Sequence, residues 1–89
     1  MWYEIAWSEE SESHIARHDV SPGEVEECIN SRPNMTLRGP HARTLVFGVT
    51  RAGRFLLVVL SDAADGRTRV VTSRDMTGRE KRVFRREAN

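Results

Sequence analysis

The stretch Arg54-Phe55-Leu56-Leu57-Val58-Val59-Leu60-Ser61 decides the fold. Its six consecutive apolar residues, Phe55 to Leu60, form the longest apolar run in the chain. So short a run between turn residues reads as a strand, and a strand that is apolar on both faces needs cover on both sides. It also falls far short of the ~20 residues that cross a bilayer, so no membrane partner is expected.

Working outward, Thr44–Thr50 alternates as a second strand, joined to Arg54–Ser61 by the short turn Arg51-Ala52-Gly53. Asp65-Gly66 closes another turn into Arg67–Ser73, and a weaker strand spans Met35–Arg38 before Gly39-Pro40. The outcome is a three- to four-stranded antiparallel meander. Upstream, Ser21-Pro22-Gly23-Glu24 fits a capping box with proline at the first helical position, and Val20 and Val25 fit a hydrophobic staple. Val25, Cys28 and Ile29 then form an inward stripe, and Arg32-Pro33 ends the helix. Further upstream, Ser8 caps a polar helix running to His18, with Glu9, Glu10 and Glu12 in its first turns. Trp2 to Trp7 reads as a short first strand. At the other end, Thr77-Gly78-Arg79-Glu80 repeats the capping-box pattern and opens a basic helix that docks through Val83 and Phe84. The reading is a single α+β domain over residues 1–89: a short N-terminal strand, two helices, the meander and a C-terminal helix.

The net charge of +1 conceals a strong asymmetry. Residues 1–31 hold one basic residue, Arg17, against eight acids, whereas residues 32–89 hold thirteen basic residues against five acids. Such a division points to a polyanionic partner for the basic part. Of the fourteen basic residues thirteen are arginine, whose planar fork suits phosphate. The single cysteine, Cys28, makes no internal disulfide and no cysteine-based zinc site, and its place on the helix stripe marks it as a core residue. No basic segment leads into an apolar stretch near Met1, so a cytoplasmic location is expected.

Several segments together resemble BrnT-type toxins. They are Trp7, then His14-Ile15-Ala16-Arg17-His18-Asp19-Val20-Ser21 with Glu24-Val25, and further on Gly48 and Gly53-Arg54-Phe55-Leu56-Leu57-Val58-Val59. Arg69-Val70-Val71-Thr72-Ser73-Arg74-Asp75-Met76-Thr77 with Glu80 completes the pattern, which covers roughly residues 3–85. The resemblance implies a RelE/ParE-like fold and the toxin half of a type II toxin–antitoxin pair. It implies a ribosome-independent endoribonuclease, neutralised in a hetero-oligomer by a DNA-binding antitoxin repressor. Ser8 stands where the family has aspartate, and Asp19 where it has glycine. Arg17 stands where the family has lysine, and an arginine cannot act as a general base because it does not deprotonate in proteins.

Metal-free cleavage of RNA needs a group to take the 2′-hydroxyl proton and cations to hold the charge that grows on the phosphate. On the residues, His14, His18, His41 and Glu80 are candidates for proton transfer, and which of them is the base stays open. His14 and His18 are four apart on the expected helix and share a face with Glu10. A metal reading of this pair lacks a third ligand, and no cofactor is expected. The catalytic set is therefore His18, His14, Arg69, Arg74 and Glu80, with Arg17, Arg43, Arg54, Arg67 and Arg82 contacting RNA. Arg67 and Arg69 share strand parity, and Arg74 precedes a helix start able to offer N–H groups to a phosphate. Each arginine could equally be a solvated residue that blocks edge pairing. The tryptophans and Tyr3 are read as core, or as a base-stacking surface if exposed. The alternative to an enzyme is a non-catalytic module of the same fold that binds nucleic acid or a protein partner.

Overall fold

Sheet order follows chain order because every connection between strands is a short turn. A computed structural model of the chain describes residues 3–63 and 65–89. Its elements are α1 (Glu9–Ala16), α2 (Pro22–Asn30), β1 (Asn34–Arg38), β2 (Thr44–Val49), β3 (Phe55–Asp62), β4 (Thr68–Asp75) and α3 (Gly78–Glu87). The strands form one antiparallel sheet in the order β1-β2-β3-β4, so the α+β architecture with a four-stranded meander is as expected. Gly53, at φ +90°, supplies the left-handed residue that the β2–β3 turn needs.

The two-sided apolar run finds cover on both faces. Leu56, Val58 and Leu60 pack with Val46 and Val70 beneath Ile15 of α1 and Val25, Cys28 and Ile29 of α2. Leu57, on the opposite face, packs with Phe47, Met76 and Phe84 of α3, and Phe55 meets Phe84 edge-on with ring centroids 5.8 Å apart. Each fully buried side chain of this kind contributes about 1.5–3 kcal/mol. α2 approaches β2 at Gly48, where a Cβ would lie 2.5 Å from the Cys28 carbonyl oxygen and 2.8 Å from Cys28 Sγ. Glycine is required there by contact rather than by backbone conformation. Val83 is only half-buried, so Phe84 is the main docking residue of α3.

All three helices begin with reciprocal caps, Ser8 with Ser11, Ser21 with Glu24 and Thr77 with Glu80. Losing one such cap costs about 1 kcal/mol.

Two expectations are corrected. The N-terminal segment is not a strand: Trp2 lies outside the described residues, and the rest makes a single parallel bridge, Ile5 to Thr68. Thr68 N–H donates to the Glu4 carbonyl at 2.9 Å and Ala6 N–H to the Thr68 carbonyl at 2.7 Å. Pairing stops there because Ser8 turns the chain into α1, which lies along the rest of β4. Nor does α1 reach His18; it ends at Ala16. Asp19 takes φ +58°, and Val20 N–H closes the helix on the Ile15 carbonyl at 3.1 Å. The reversal is enforced by Val20, which must enter the core to staple α2. His14 and His18 therefore do not share a helical face.

Candidate functional site

A groove of about 630 Å3 opens where the N-terminal segment and α1 run past the end of the sheet. Four features of the chain build it. The Ile5–Thr68 bridge fixes the entry of Trp7 and Ser8, and α1 then presents Glu10 and His14, one turn apart, to the groove. On the sheet, Ser61 and Arg69 are direct cross-strand partners, and Arg43 continues the same row because Thr44 pairs with Leu60. The β1–β2 hairpin tip sets Arg43: His41 and Ala42 both have positive φ, 59° and 58°, and Arg43 N–H donates to the Pro40 carbonyl at 3.3 Å. Neither is glycine, and β-carbon-bearing residues in this region cost about 1–2 kcal/mol each. Finally, Arg67 reaches the groove from the β3–β4 turn, where Asp65 grips its guanidinium at 2.7 and 2.9 Å.

His14 is held by backbone. A register shift at Val59/Leu60 leaves Val71 of β4 without a cross-strand partner, and its carbonyl oxygen lies 3.3 Å from His14 Nδ1. A carbonyl only accepts, so Nδ1 carries the hydrogen, and Nε2 of the neutral ring is left with its lone pair. The groove thus combines a hydrogen-bonded imidazole with three guanidiniums, two of which, Arg43 and Arg69, pair with no carboxylate among the described residues. Glu10 and Asp65 bring negative charge to the same lining. Such a surface can bind a phosphodiester, and can take a proton next to it.

Four of the residues singled out in the sequence, His14, Arg43, Arg67 and Arg69, meet in this groove. The others do not. Arg54, expected to contact RNA, is consumed by the fold. Its Nε and Nη2 reach Asp75 at 2.8 and 3.3 Å, its Nη1 reaches both Glu24 oxygens at 3.2 and 3.3 Å, and the His18 and Asp19 carbonyls take the rest. The hydrogen bond from Asp75 raises the Arg54 pKa further above its ordinary value, and the same bond lowers that of Asp75. Glu24 is also lowered, first by the Ser21 N–H of its capping box and then by Arg54. Arg54 is therefore the knot that ties the α1–α2 turn, α2 and the end of β4 together.

Arg74 and Glu80, expected as catalytic, satisfy each other through two bonds of 2.8 and 3.0 Å. Arg74 holds the Glu80 carboxyl below its ordinary pKa, and Glu80 also accepts from Thr77 N–H, so it is the capping residue of α3. The helix start beside Arg74 is closed in turn, because Glu80 N–H donates to Thr77 Oγ1. His18 and Arg17 sit exposed in the turn after α1, and Arg82 is exposed on α3; none of them lines the groove. Cys28 is buried, and desolvation pushes its thiol up to about 12, which leaves it inert at neutral pH. Among the described residues no cluster of three or more His, Cys, Asp or Glu could hold a metal ion, and no helix is long and apolar enough to cross a membrane.

Sequence reading passed over Ser61, Asp65 and the groove-facing part of Trp7. Only Ser61 left a signal, as the polar residue that ends the apolar run. No family model, curated protein or solved structure matches the chain.

Proposed function

We propose that this chain is a metal- and ribosome-independent endoribonuclease that cleaves mRNA by 2′-hydroxyl attack in the groove beside α1. On its resemblance to BrnT-type toxins, it is the toxin of a type II toxin–antitoxin pair with a RelE/ParE-like fold. In that role it works in the cytoplasm and is held inactive by a DNA-binding antitoxin. The observation that carries the chemistry is the convergence of Arg43, Arg67 and Arg69 with His14 in one groove. In this reading His14 Nε2 takes the 2′-hydroxyl proton, and the 2′-oxygen bonds to phosphorus. The bond from phosphorus to the 5′-oxygen breaks, and that oxygen leaves with a proton from water. Arg43 and Arg69 carry the charge that builds on the phosphoryl oxygens, which is worth most in a partly enclosed site.

A second reading, a non-catalytic module that grips nucleic acid or a partner protein through the same groove, is favoured by the mutual pairing of Arg74 and Glu80. One experiment separates the two. The purified protein is incubated with RNA and EDTA from pH 5 to 9, beside His14→Asn, whose amide keeps a donor for the Val71 carbonyl but has no Nε2. The enzyme reading expects fragments ending in 2′,3′-cyclic phosphate, and a loss of about 100- to 10,000-fold in rate for His14→Asn with RNA affinity unchanged. Intact RNA that is nonetheless bound moves the assignment to the binding module, and intact RNA that is not bound removes both.

A further inference from the structure

Trp7 is held by three independent constraints. One side of its indole packs on the core cluster around Ile15 and Val25, and its Nε1–H donates to Glu26 Oε2 of α2 at 2.8 Å. The rest of the half-buried side chain lines the groove with Arg43, Arg69 and His14. The hydrogen bond fixes how the ring is turned, and the core contact fixes its depth. A tryptophan kept only for packing needs neither a carboxylate partner nor a place among guanidiniums. The groove's volume falls within the range of sites that enclose small organic groups.

We propose that Trp7 is a stacking platform for an unpaired nucleobase, so that the groove takes single-stranded rather than duplex nucleic acid. The inference rests on the reading of the groove as a nucleic-acid site and adds its substrate class. Inside a duplex both faces of every base are covered by neighbours, whereas an unpaired base can lay a face on the indole while its phosphates meet the arginines. Stacking tolerates every base, so the expected sequence preference is weak.

The test uses the full chain with Trp2→Phe, which leaves Trp7 as the only tryptophan. The probe is a fluorescein-labelled deoxyadenylate decamer, which has no 2′-hydroxyl and cannot be cut by the proposed route, alone and annealed to its complement. Trp7 emission reports stacking and fluorescein anisotropy reports binding. Single strand should quench Trp7 saturably, duplex should not, and Trp7→Leu should weaken single-strand binding about 5- to 100-fold. Trp7→Phe, which keeps an aromatic face, should lose less than about fivefold; it decides the matter should Trp7→Leu fail to fold. Decamer binding without quenching and with equal affinity in the variants overturns the platform and leaves the groove reading intact. Absence of binding by every form overturns both.

Discussion

Two regions of this domain are rich in arginine, and they differ in what meets the guanidinium. At the knot beneath the α1–α2 turn, Arg54 finds two carboxylates and two carbonyls, and its charge is closed within the fold. In the groove at the other end of β3 and β4, Arg43 and Arg69 meet no carboxylate among the described residues. The residue type is the same and the chemistry is opposite. A guanidinium surrounded by acceptors of its own chain is structural, and one without them is available to an anion. The chain's near-zero net charge is thus compatible with a locally basic site, because much of the acidic content is applied where an arginine must be held.

Removing Arg54 should break this contrast most forcefully. Arg54→Met keeps the aliphatic stem but strands Glu24, Asp75 and two carbonyls, at a cost of about 2–3 kcal/mol for a partly exposed network. In a domain of this size that lowers the melting temperature by roughly 10–20 °C, readable by circular dichroism, with RNA affinity unchanged while the protein stays folded. Acid should act next most strongly. Glu24, Asp75 and Glu80 have folded pKa values below their ordinary 4.5, 3.8 and 4.5, so their contribution is fully present above those values. It is lost as pH falls below about 4.5 and through the lower folded values, and urea midpoints measured from pH 7 down to 3 should fall accordingly. The fall should be shallower in Arg54→Met, whose Glu24 and Asp75 no longer gain from the pair.

On the groove side the expectations reverse. Arg43→Ala and Arg69→Ala should leave the melting temperature within about 2–4 °C of the parent. Each should reduce the slope of log affinity for RNA against log salt by about 1, measured by filter binding across a salt series. Arg67→Ala sharpens the comparison as its smallest effect. Its partner Asp65 is two residues away and both side chains are about half exposed, so stability should change by less than about 1 kcal/mol. An Arg67→Ala melting shift as large as that of Arg54→Met would erase the distinction drawn between the two regions.

Legibility from sequence follows the same division between local and long-range contacts. The capping boxes at Ser21 and Thr77 were readable because donor and acceptor lie three residues apart. The Ser8–Ser11 box escaped because serine replaces the glutamate that the pattern leads one to seek. The end of α1 was misread because its cause, the burial of Val20, competes with a helical pattern that continues through His18. Of the site, His14, Arg43, Arg67 and Arg69 were singled out correctly for the groove. Arg54, Arg74 and Glu80 were not, since their partners lie 35, 6 and 6 residues away at the furthest bond to the chain. No spacing rule distinguishes a satisfied arginine from a free one.

The α+β architecture and its meander were determined by the sequence alone, because strand period, turn residues and capping pairs act over a few residues. The tertiary structure decided which cations remain open to a ligand. That outcome depends on acceptors delivered from distant elements, a carboxylate from α2 and another from the end of β4 for Arg54, and none for Arg69. Coulomb and hydrogen-bond energies fall off within a few ångströms, so only the folded arrangement assigns each guanidinium its partner.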